Sequence, residues 1–169
     1  MTVQVPETLR YKGEVLTFDD DYPLEPYLES GRCAVKFQAP STALHRGYAG
    51  TWSIEHARLY LIKLEGHVGE FANTAEVGLS ALFPDSPDGV FARWFSGQLC
   101  CPMGELLNYG RGGFTSVYES DLFIQIEQGV VLSERVVVNG EAATPVPVRS
   151  APAKNAEDKF LNLFRKKTE

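Results

Sequence analysis

Cysteine is scarce in this 169-residue chain, and the three present, Cys33, Cys100 and Cys101, are an odd number with two of them adjacent. Neighbours on a strand point to opposite faces, so a Cys100–Cys101 bridge would distort the backbone. No Cys-x-x-Cys spacing offers a metal clamp. A secreted disulfide framework is therefore excluded in favour of buried, reduced thiols, whose apolar surroundings raise a thiol pKa and make poor nucleophiles. Histidine is equally rare: His45, His56 and His67 are all there are. His45 and His67 could face each other across a hairpin, with Glu65 or Glu70 nearby, but nothing in the pattern supports them from behind, and surface or turn histidines are the simpler reading.

Other absences narrow the function classes. No apolar run approaches the roughly 20 residues of a membrane span. The first residues, Met1 to Glu7, have neither the basic start nor the apolar core of a signal peptide, so a cytoplasmic protein without membrane association is expected. The Gly110–Gly113 loop with Arg111 could cradle an anion, yet it lacks the Lys-Ser/Thr of a phosphate loop. The acidic clusters Asp19–Asp21 and Asp85/Asp88 lack calcium-loop spacing and read as capping and turn residues. There is no Gly-x-Ser-x-Gly. From these residues we assign no catalytic residue, no metal and no cofactor.

Basic charge is also short, with 16 Lys and Arg against 22 Asp and Glu and a net charge of −6. The imbalance is uneven. From Lys154 onward five basic residues outnumber three acidic ones, which leaves −8 on the rest of the chain. An acidic body repels a nucleic-acid backbone and suits a basic protein partner.

What is present is an ordinary globular composition, 44% apolar and 22% charged, in a length suited to one domain with a real core. The stretch Arg46–Leu64 sets the architecture. Tyr48, Gly50, Trp52 and Ile54 alternate with smaller or polar residues, and Leu59–Leu64 follows a tight turn, so the two runs form a β-hairpin. Leu9–Phe18 reads as a first hairpin turning at Lys12-Gly13. Pro23–Ser30 reads as a short helix with carboxylates at its start, ended by Gly31. Cys33–Phe37 alternates as a strand. Asn73 and Glu76 have capping-box spacing ahead of Ala75, Leu79, Leu82 and Phe83, which predicts a helix stopped by Pro84. Val90–Cys101 reads as one long strand or a strand bent at Gly97, with a turn at Pro102–Gly104. Ser116–Ile126 and Val130–Val138 form a further hairpin around Glu127-Gln128-Gly129. In its second strand Val130, Leu132, Val136 and Val138 share a face that Glu134 interrupts. The turns after Ile54-Glu55 and Ile126-Glu127 share a design, which convergent turn chemistry explains more simply than duplication.

The fold class expected is therefore α+β: mostly antiparallel β-sheet built from hairpins, with one or two short helices and a mobile C-terminal tail. Residues 1–139 form the β-rich domain, 140–154 a Pro/Ala-rich linker, and 155–169 a short amphipathic helix or disordered tail. In the tail, Phe160, Leu161, Leu163 and Phe164 cluster apolar surface ahead of basic residues, and so short a helix needs a surface to dock on.

Several segments together resemble a family of small bacterial proteins. They are the Gly-Tyr-x-x-Thr-Trp-x-Ile run from Gly47 with Leu59-Tyr60-Leu61, Leu82-Phe83-Pro84, the Phe-Ala-x-Trp-Phe-Ser-Gly-x-Leu run from Phe91, and Val117-Tyr118-Glu119. The resemblance spans about Ala43–Val138, implies a bacterial source, and brings no catalytic residues with it. By analogy with small acidic immunity proteins, the function expected is non-catalytic protein binding, of the immunity type that neutralises a toxin. The rival is a small-molecule binder or minor enzyme with a pocket on the sheet, for which Trp94, Arg93, Arg111 and Glu134 are the candidate ligand- or partner-binding residues. A third reading is an adaptor that binds through Phe160, Leu161, Leu163 and Phe164 of the tail.

Overall fold

The computed structural model describes residues 3–19, 21–109 and 116–139; the linker, the tail and Arg111 lie outside the described residues. Strands account for 54% of what is described and helical turns for 6%, so the class is mostly β. One mixed sheet contains β1 (Glu7–Tyr11), β2 (Glu14–Phe18), β3 (Tyr48–Glu55), β4 (Arg58–Glu70), β5 (Asn73–Val77), β6 (Val90–Phe91), β7 (Gly97–Asn108), β8 (Val117–Glu127) and β9 (Val130–Val138). Its order is β2-β1-β3-β4-β9-β8-β7, with β5 and β6 also pairing with β4. All pairs are antiparallel except β1 with β3. A lone sheet can bury apolar surface only by wrapping on itself. Here β2 and β7, the ends of the order, pack against each other, and one cluster joins Leu9, Phe18, Trp52, Leu61, Leu99 and Ile124.

Alternation works as expected in the hairpins. Tyr48, Trp52 and Ile54 are buried on β3, and Leu122, Ile124 and Ile126 on β8. On β4 an extra residue, Ile62, is accommodated where Thr51 faces Lys63 but Trp52 faces Leu61. That bulge lets Leu61 and Leu64 both face inward. The turns at Lys12-Gly13 and Gln128-Gly129 adopt positive φ, as their tightness requires. The short helix is α1, Glu25–Glu29, with proline in its first turn, and Gly31 follows it at positive φ.

Four expectations are corrected. Asn73–Val77 is not helical: β4 outruns β3, and its free edge pairs with β5 around a turn at Phe71-Ala72, so a ladder displaces the capping box. Only Leu79–Ala81 makes a 3-10 turn, with Leu79 buried. Cys33–Phe37 forms no strand; the segment is tied by the Gln38 N–H donating to the His67 carbonyl at 2.8 Å, while Phe37 packs on Tyr48. Val90–Cys101 is not continuous. The chain leaves β4 after Phe91, drops Phe95 into the core, and restarts at Gly97 as the strand at one end of the sheet order. Pro102–Gly104 is not a turn but lies within β7. β7 ends the strand order, so the amide missing at Pro102 breaks no ladder on its outer edge.

The similar turns after Ile54-Glu55 and Ile126-Glu127 meet in space. Arg58 pairs with Val130, the Val131 N–H donates to the Ala57 carbonyl at 2.8 Å, and the Leu59 N–H donates to the Gly129 carbonyl at 2.8 Å. This is where β9 joins β4. Gly129 has φ +79, and a Cβ there would sit 2.7 Å from the Ala92 carbonyl oxygen and the Phe91 ring. We expect Gly129→Ala to destabilise the protein by about 2 kcal/mol or more, because strained φ and overpacking combine. Urea denaturation of both proteins checks this.

Candidate functional site

β1 starts with a carboxylate on its buried face. Glu7, Leu9 and Tyr11 point inward, and Glu7 is completely buried. The parallel register sets Leu9 beside Trp52 and brings Glu7 over Gly50. Gly50 has no side chain to obstruct it; a Cβ there would lie 2.6 Å from Glu7 Oε2. That oxygen accepts the Gly50 N–H and the Trp52 Nε1–H, the latter at 3.2 Å. Glu7 Oε1 accepts from Arg46 Nε, also at 3.2 Å, in an ion pair whose side chains are 7% and 0% exposed. The Arg46 guanidinium lies 4.4 Å from the Tyr22 ring centre and 5.4 Å from that of Tyr48, and its Nη2 is buried without a hydrogen-bond partner. The Tyr48 hydroxyl donates to Glu25 Oε1 at 2.8 Å, which ties α1 to the sheet.

Burial pushes the Glu7 carboxyl up to about 7, against the pull of Arg46, the Gly50 amide and Trp52. Burial also lifts the Tyr48 hydroxyl well above the usual phenol range, helped by its bond to Glu25. A carboxyl poised near neutrality could act as an acid or base, but a general acid must reach its substrate. Glu7 is completely buried, and the cluster holds β1, β3 and α1 together.

A second carboxylate, partly exposed, joins two hairpins. Glu134 faces inward opposite Ile124 and accepts from the Tyr11 hydroxyl and from Lys12 Nζ, the latter at 2.6 Å. The residue that interrupts the apolar pattern is thus a strut between the hairpin of β1 and β2 and that of β8 and β9. Burial and this bond raise the Tyr11 pKa strongly. The bulge between Gln125 and Ile126 also overturns the shared face of β9: Val131 turns into the core, and Val130 and Leu132 are exposed.

Trp94 donates its Nε1–H to the Pro23 carbonyl at 2.7 Å and stacks on Phe83 at 5.5 Å, with Tyr27 4.9 Å away. It clamps α1 and the loop before Pro84 onto the body. Arg93 is exposed and extends over the Phe91 ring. Trp94 and Glu134 thus serve different contacts, and Arg111, Phe160, Leu161, Leu163 and Phe164 lie outside the described residues. Of the thiols, Cys101 is buried and its pKa is pushed up to about 12, first by burial and then by Cys100.

The sequence reading missed Glu7, Glu25 and Arg46, although Glu7 stands in phase with Leu9 and Tyr11. It also missed the ribbon of β7, β8 and β9. The register puts Met103, Leu106, Tyr118, Leu122, Val136 and Val138 on the side of the sheet that faces the core. Leu122 is 5% exposed, but Leu106, Val136 and Val138 are 45%, 50% and 61% exposed. The inner face of the ribbon therefore carries apolar residues past the end of the core, with Ser120 between Met103 and Val138, and overhangs it. Acidic residues outnumber basic ones on the described part of the ribbon: Glu105, Glu119, Asp121, Glu127 and Glu134 against Arg135. Beyond Val130 and Val131, the β9 edge away from β8 has no strand partner among the described residues. The described residues include no group of His, Cys, Asp and Glu arranged to hold a metal, and no helix long and apolar enough to cross a membrane.

No protein-family model, curated protein or solved structure matches the chain.

The raised Glu7 pKa predicts a pH dependence of stability. Its folded value of about 7 lies above the ordinary 4.5, so the folded state binds more protons between those values. Stability from this group is therefore complete below about 4.5 and lost as pH rises through 7, on the order of 3 kcal/mol in all. Glu7→Gln removes the titration and should flatten the profile of Tm against pH across this window; an equally sloped profile in the variant would refute the assignment.

Proposed function

We propose that the protein is a non-catalytic protein-binding module whose binding face is the apolar overhang of β7, β8 and β9. The observation that carries this reading is the half-exposed run of Leu106, Val136 and Val138 on a sheet face continuous with the core. Exposed apolar residues clustered on one face are where protein partners dock. The free β9 edge adds backbone donors and acceptors that an extended partner segment can pair. The net charge of −6 favours a basic partner, which is the charge logic of an immunity-type inhibitor that occludes a basic toxin surface. A cytoplasmic bacterial setting is part of this proposal.

The alternative, a sheet pocket served by Trp94, Arg93, Arg111 and Glu134, draws less support. The Trp94 N–H and Glu134 carboxylate are already committed to contacts that hold the fold.

Val136→Lys tests the proposal. The side chain is half exposed, so the fold should survive with nearly unchanged Tm. A stoichiometric partner isolated from native lysate on the wild-type protein should bind the variant at least about tenfold more weakly. Equal binding by both proteins, or no partner on the wild type, would overturn the reading.

A further inference from the structure

The register of β9 fixes which of its backbone groups bond to β8 and which point away. The Asn139 N–H donates to the Glu119 carbonyl at 2.8 Å, so residue 139 bonds toward β8. From there the ladder runs without a shift, from Val138 opposite Ser120 to Ser133 opposite Gln125. Alternation along an antiparallel ladder then turns the N–H and C=O groups of Arg135 and Val137 toward β8, and those of Glu134, Val136 and Val138 away from it. β4 meets β9 only at Arg58 and Val130, so the outward groups have no strand partner among the described residues. Nor is the edge blunted: Arg135-Val136-Val137-Val138 holds no proline, glycine or lysine, and Arg135 lies over the Phe123 ring at 4.8 Å.

We infer that this edge pairs antiparallel with the same edge of a second copy, in a two-fold register centred on Val136. The inference goes beyond the binding reading, because it stands on the edge groups of β9 and names its own occupant. Opposed residues of an antiparallel pair share a face, so a symmetric pair of strands must be centred on one residue. Centring on Glu134 opposes two carboxylates, and centring on Arg135 opposes two guanidiniums. Centring on Val137 leaves the outward groups of Glu134 without those of Val136 or Val138 to meet. Only centring on Val136 brings all three outward residues together, Val136 with its own copy and Glu134 with Val138, and no like charges face each other. A foreign strand would need a matching pattern; this edge already matches itself.

The same register gives the overhang a cover. Val138, its most exposed residue at 61%, comes to lie opposite the other copy's Glu134, which holds the Tyr11 hydroxyl and the Lys12 ammonium. Each overhang thus meets the tip of the β1–β2 hairpin of the other copy, and the two-fold repeats the contact. One isologous interface covers both apolar ends.

Sedimentation of the purified full-length chain tests the pairing. Between about 1 and 100 μM, a range that reaches the weak dimers of small interfaces, the mass should rise from that of one chain toward that of two. Val136→Lys opposes two ammonium groups across the two-fold and should raise the dimer Kd at least about tenfold. Oxidative cross-linking reads the register. Hydrogen-bonded antiparallel pairs hold their Cα atoms about 5.5 Å apart, within reach of a disulfide. Val136→Cys should therefore form covalent dimer well above the wild-type level. Val138→Cys should not, because its two copies lie roughly 14 Å apart along the strands. A single-chain mass at 100 μM would overturn the inference, as would equal cross-linking of the two cysteine variants. Such a result, alongside a captured partner that Val136→Lys loses, would remove the second copy and leave the binding reading intact.

Discussion

The fold depends on one buried carboxylate. Removing Glu7 from water is costly, and three donors offset the cost: the Gly50 amide, Trp52 Nε1 and Arg46 Nε. These donors come together in only one register of β1 against β3. A slip by one residue would turn Glu7, Leu9 and Tyr11 outward together and leave the indole, the amide and the guanidinium unpaired in the interior. Parallel pairing here covers only three residues, so the backbone ladder alone specifies little. The carboxylate supplies the missing specificity. Once β1 is placed, β2 follows through its hairpin, and Tyr11 and Lys12 reach Glu134 on β9. The hairpin of β1 and β2 is thereby fastened to that of β8 and β9, and the sheet is held in its wrapped form.

The legible parts of the sequence were those whose physics is local. Hairpins declared themselves through alternation and turn residues: Lys12-Gly13, the polar turn after Glu55, and Gln128-Gly129 all turn where expected. The failures came where a distant strand decided the outcome. Asn73–Val77 carries a good helix start, but the free end of β4 offers a ladder, and no residue near Asn73 announces it. Pro102 reads as a breaker until β7 is known to end the strand order. Phe95 reads as part of a strand until its carbonyl is seen accepting the Gly129 N–H at 2.8 Å. Less of the site was readable than of the fold. Glu134 stood out because it broke an apolar pattern, yet its partners lie more than a hundred residues away, and the bulge at Gln125 changed which neighbours share its face. Glu7 passed unnoticed because it precedes the apolar run it belongs to.

The overhang follows from strands of unequal length. β1 and β2 have five residues each, whereas β7, β8 and β9 have twelve, eleven and nine. Short strands cannot cover the inner face of long ones, so some of that face must lie beyond the core. Geometry alone would permit polar residues there, as on any solvated sheet face. The residues present are Leu106, Val136 and Val138, in phase with the core and half exposed. An apolar face at that position lowers solubility and gains nothing within the described fold. The proposed binding role would give it a use.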